Sequence, residues 1–77
     1  MHKRITKRSV PGLAERLLSL REGRSLSQQV LATRAGISIP RLAEVERYST
    51  ATTETLTLLA RALGVSVDEL RGRGAMQ

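Results

Sequence analysis

At 77 residues the chain has room for one small domain and none for a second, effector-binding one. It has no cysteine, which removes disulfides and thiolate metal sites and fits a reducing cytosol. No apolar run approaches membrane-spanning or signal-peptide length, so a soluble cytoplasmic protein is expected. The formal net charge is +6, and Lys3, Arg4, Lys7 and Arg8 supply +4 of it within the first eight residues. The rest holds nine basic and seven acidic residues, so its positive charge must gather on one face if it is to grip a polyanion.

Residues 1–12 read as a flexible basic arm, polar to Val10 and then punctuated by Pro11-Gly12. Lys3, Arg4, Lys7 and Arg8 on such an arm either track phosphates or form a solubilising leader. His2 has no partners there and is no metal or catalytic candidate. The folded domain is expected over residues 13–71. Helix one should run from Leu13 to about Arg21, with Leu13, Leu17 and Leu20 on its inner stripe and Leu18 beside it.

Ser27 should cap a second helix that runs to about Thr33 or Arg34, with Gln28 in its first turn and Leu31, Ala32 and Ala35 inward. A corner follows. Gly36 suits a left-handed conformation, Ile37 fills the inner angle, and Ser38 caps a third helix. Ala32 is small enough to let the two helices approach. Pro40 sits in the first turn of helix three, where it removes no intrahelical hydrogen bond. With Leu42 and Val45 inward, the outer face presents Ile39, Pro40, Arg41 and Glu44, with Arg47 at its far end. Two helices joined by such a corner are the pattern of a DNA-binding helix-turn-helix.

Residues 48–52 are expected as a loop, in which Tyr48, the only aromatic residue, either packs on the core or points its hydroxyl at a phosphate; packing is the favoured role. Helix four follows from a Thr52 or Thr53 cap to a stop at Gly64, with Leu56, Leu59, Ala60 and Leu63 inward. Ser66-Val67-Asp68-Glu69 has capping-box spacing, so a short fifth helix should bring Leu70 onto the core. Residues 72–77 have little to bury and should fray.

Across about residues 13–70 the chain resembles the XRE family, the lambda-repressor and Cro-like helix-turn-helix proteins. The resemblance is carried by Leu26-Ser27-Gln28, Leu31-Ala32, Gly36, Leu42, Val45-Glu46-Arg47, Glu54-Thr55-Leu56, Leu59-Ala60 and Ala62-Leu63-Gly64-Val65-Ser66. It implies an all-α, compact five-helix domain whose third helix enters the major groove of double-stranded DNA. It also implies a structural salt bridge between Arg21 and Glu46 and a phosphate contact from Gln28. By their own chemistry, Arg47 and the hydroxyls of Ser38, Tyr48 and Thr50 are further candidates to hold phosphates. Two positions depart from the family pattern, which usually has glycine where Ser25 and Tyr48 stand here.

On that reading helix three is the base reader: Arg41 can grip guanine or only touch phosphate, Glu44 can accept from cytosine or only pair with a neighbouring basic residue, and Ile39 and Pro40 can pack on a thymine methyl. A chain of this kind is expected to be a transcription regulator, most simply a homodimeric repressor on a two-fold symmetric operator. Leu58 points about 130° from the inner stripe of helix four and, with Leu70 or Met76, is the candidate dimer contact. The alternative is a protein-interaction module of the same fold, of antitoxin or accessory type. An enzyme is not expected: the sequence has no His/Cys/carboxylate cluster, no glycine-rich phosphate loop and no catalytic pair at usable spacing. Nor does it call for a cofactor, a metal or a small-molecule ligand.

Overall fold

Serine and threonine caps divide the chain into its helices. The structure is a computed structural model and describes residues 7–73, ordered β1 (Arg8–Ser9), α1 (Leu13–Gly23), α2 (Gln28–Ala35), α3 (Ile39–Tyr48), β2 (Thr50–Ala51), α4 (Thr53–Leu63) and α5 (Val67–Leu70). Ser27, Ser38, Thr52 and Ser66 each accept, through the side-chain oxygen, the backbone N–H three residues on, at Val30, Arg41, Thr55 and Glu69. Such a cap satisfies an amide that would otherwise be orphaned, worth about 1 kcal/mol each. At the other ends, Gly36 and Gly64 take left-handed conformations and close α2 and α4.

The helices wrap a core dominated by leucine. Leu13 and Leu17 from α1, Leu31 from α2, Leu42 from α3, Leu59 from α4 and Leu70 from α5 are all 0% exposed. Helix α3 packs against α1 and α2, while α4 closes the far side against α2 and α5. Ala32 lies in the core at 1% exposure, the small residue that close approach of α2 to its neighbours requires. Among the described residues no helix is long and apolar enough to cross a membrane.

The N-terminal segment differs from the expected arm over the residues described. Arg8 and Ser9 pair antiparallel with Ala51 and Thr50, and the Val10 amide continues the ladder by donating to the Ser49 carbonyl at 2.8 Å. A ladder this short is marginal alone, and burial supports it, since Val10 packs against the leucine core. Arg16 adds a clasp: its Nε donates to the Leu70 carbonyl (2.8 Å) and its Nη2 to the Pro11 carbonyl (2.9 Å). Gly12 precedes α1 at φ +78°, a left-handed conformation that suits glycine, and a Cβ there would lie 2.6 Å from Arg16 Nη1, so a side chain would displace the clasp. Lys3 and Arg4 lie outside the described residues.

Three further expectations are corrected. Leu70 is fully buried, so it is a core residue and unavailable to a partner copy. Leu58 is partly buried and packed against the core, less free than the angle along its helix implied. The segment 48–52 is not simply a loop: Tyr48 ends α3, and Thr50 and Ala51 form β2. Met76 lies outside the described residues, as does most of the expected frayed tail over residues 72–77.

Candidate nucleic-acid interface

The corner between α2 and α3 sets the interface. Gly36 has φ +75°, Ile37 is partly buried against the core, and Ser38 turns the chain into α3 with Pro40 in the first turn. Leu42 and Val45 anchor the inner side of the helix. Its outer side carries Ile39 (43% exposed), Pro40, Arg41, Glu44, Arg47 and Tyr48 (61% exposed). Glu44 is central, because Pro40, Arg41, Arg47 and Tyr48 are its i−4, i−3, i+3 and i+4 neighbours on the helical surface.

A polar brace holds α3 from behind. Arg21 on α1 donates from Nε to Glu46 Oε2 at 2.7 Å and from Nη2 to Oε1 at 3.2 Å, a two-pronged grip on the carboxylate. Arg21 Nη1 also donates to the Leu26 carbonyl (2.9 Å), and Gln28 Nε2 donates to Glu46 Oε1 (2.8 Å). The carboxylate thus ties α1 and the first turn of α2 to α3, and Arg21 adds the loop before α2. The side chains of Arg21 and Glu46 are only 13% and 9% exposed. Gln28 was expected at a phosphate; its observed partner is Glu46, and the amide retains a second N–H.

On the exposed side, Lys7 pairs with Glu44 across the space between the N-terminal segment and α3. Lys7, Arg41, Glu44, Thr50 and Thr52 line one open groove beside α3, so the N-terminal lysine and the loop hydroxyls share a face with the outer side of that helix. Arg47 lies over the Tyr48 ring at 5.9 Å, and Tyr48 does not pack on the core as expected. The reason is local: as the last residue of α3, Tyr48 falls on its outer face. The Ser38 hydroxyl accepts from the Arg41 amide at 3.2 Å and keeps its own O–H for another acceptor.

Two serines take a conformation that glycine adopts at lower cost. Ser25 (φ 56°) and Ser49 (φ 56°) both adopt the left-handed conformation, the first in the loop after α1 and the second at the end of α3. Ser49 compensates: its Oγ accepts from the Ala14 amide at 2.9 Å, capping α1, which has no cap from its own N-terminal residue. The left-handed residue after α3 is therefore Ser49, one position beyond Tyr48. Neither the remote cap nor the Lys7–Glu44 pair carries a local sequence signal. Among the described residues no group of three His, Cys, Asp or Glu side chains could hold a metal ion.

Known proteins share this fold. The N-terminal DNA binding domain of SinR from Bacillus subtilis superposes with a TM-score of 0.72 at 26% identity, over 77% of this chain and 88% of that one. The clp gene regulator ClgR from C. glutamicum gives a TM-score of 0.69 at 30% identity, over 86% of this chain and 92% of that one. No curated protein matches. A family model described as helix-turn-helix matches residues 17–70, from the middle of α1 to the end of α5. The chain belongs to the XRE-type helix-turn-helix family.

Proposed function

We propose that this chain is a sequence-specific DNA-binding transcription regulator that lays α3 in the major groove, and that it acts as a homodimeric repressor on an operator of two-fold symmetry. The observation that carries the reading is the two-sidedness of α3. Its inner side is braced by Arg21, Glu46 and Gln28, and its outer side offers Arg41, Glu44 and Arg47 with the apolar Ile39 and Pro40. Similarity to a DNA binding domain and to a gene regulator supports the same conclusion.

In this reading Arg41 donates to guanine O6 and N7, Glu44 accepts from cytosine N4, and Ile39 and Pro40 pack on a thymine methyl. Phosphates are held by the second N–H of Gln28 at the start of α2, where the helix dipole favours an anion. The Ser38, Tyr48 and Thr50 hydroxyls and Arg47 hold others, and Lys3 and Arg4 add charge at the N-terminus. Two copies set their α3 helices about 34–36 Å apart, one turn of DNA, with the partly exposed Leu58 at their contact. Occupying a promoter in this way blocks transcription. The test is selection of bound sites from random duplex DNA by the purified protein. Enrichment of a symmetric site is the expected result; enrichment of nothing would refute DNA reading and favour a protein-interaction module.

A further inference from the structure

We propose that Lys7 is a specificity-determining residue, acting with Glu44 as a joined donor–acceptor pair that reads a single C·G base pair. This rests on the DNA reading above and names a residue of the N-terminal segment as part of the reading head. A carboxylate at the centre of a DNA-facing helix stands against a polyanion, and alone it would repel the phosphates on either side of the groove. Lys7 removes that difficulty by neutralising it.

The geometry does more than cancel charge. Lys7 engages Glu44 Oε2, so Oε1 can still accept a hydrogen bond. The lysine ammonium carries three N–H donors and the pair uses one, so two remain to donate. An acceptor beside a cationic donor is the complement of the major-groove edge of C·G, where the cytosine N4 amino group lies next to guanine O6 and N7. Both side chains are open to a partner, Lys7 at 50% and Glu44 at 37% exposure. Lys7 is held in place by its neighbours along the chain: the Arg8–Ser9 strand paired to β2, the half-buried Val10, and Pro11 under the Arg16 clasp. Arg41 lines the same groove, so the pair and the arginine address neighbouring positions on one site.

The experiment is site selection with the wild-type protein, Lys7→Met, Glu44→Gln and the double variant, followed by affinities for the selected duplex and its single-pair changes. Thermal melting accompanies each variant and should be unchanged, since both side chains lie on the surface. For the wild type, replacing one C·G pair by A·T should cost about tenfold in affinity. Lys7→Met and Glu44→Gln should each flatten that preference at the same position, and the double variant should lose no more than either single one. If Lys7→Met weakens every duplex by one common factor, or leaves the preference intact, Lys7 touches phosphate or nothing and the proposal is overturned. A wild-type protein that enriches no site refutes the DNA reading itself, and the proposal with it. One that enriches a site with no C·G preference dependent on Glu44 refutes only the proposal.

Discussion

Removing the arginine from the brace behind α3 should be among the most damaging changes to this chain. Arg21→Met leaves the Glu46 carboxylate 9% exposed with Gln28 Nε2 as its remaining donor at 2.8 Å. A buried charge stripped of its partner costs about 3–5 kcal/mol, and with Arg21 itself 13% exposed the lower end applies, about 3 kcal/mol. A chain of 77 residues has roughly 4–12 kcal/mol of stability, so that loss is a large share. Each kcal/mol moves the midpoint of a domain this size by about 4–8 °C, hence a drop of about 12 °C or more. Glu46→Leu should cost less, because the freed guanidinium keeps the Leu26 carbonyl at 2.9 Å and some access to water. The double variant Arg21→Met with Glu46→Leu should return to within about 1 kcal/mol of the wild type, since an apolar pair of similar volume needs no desolvated charges. Thermal and urea unfolding followed by circular dichroism gives all four corners of the cycle. If Arg21→Met cost under about 1 kcal/mol, as an exposed pair would, the brace would be ornamental and the argument wrong.

Ser25→Gly should raise stability by up to about 1 kcal/mol, because it relieves a left-handed serine, whereas Ser49→Gly should bring no gain or a loss, because it removes the cap on Ala14. Equal melting shifts for the two would contradict the remote cap. Arg41→Ala should relax discrimination at one base pair and cost about 1–3 kcal/mol on the selected site; equal weakening on unrelated duplexes would reduce Arg41 to a phosphate contact. Leu58→Asp, examined by sedimentation, should give a folded monomer with weaker binding to the selected duplex. An unchanged dimer would place the contact elsewhere.

What could be read from the chain was governed by distance along it. Caps three residues from their targets, leucines at helical spacing and glycines at helix ends are local signals, and with the resemblance they yielded all five helices, with ends within a residue or two. Ser25 shows where residue identity misleads even locally: a serine where glycine is usual reads as a changed loop, yet the backbone keeps the left-handed conformation that glycine would have made easy. Leu70 shows the opposite limit: its place on the core at the end of a short helix was legible, but an enclosure so complete that nothing is left for a partner copy was not.

The site depends most on what is not local. Glu44 alone on a helix is ambiguous, because the same carboxylate can accept from a base or repel a phosphate, and nothing within a helical turn on either side decides between them. The deciding group is Lys7, 37 positions away in the chain. It arrives there because two strand residues pair with the segment after α3 and because Val10 packs against the leucine core. The chemistry of the reading face therefore depends on the leucine core: the packing that shelters Val10 is also what carries a cation to the middle of α3.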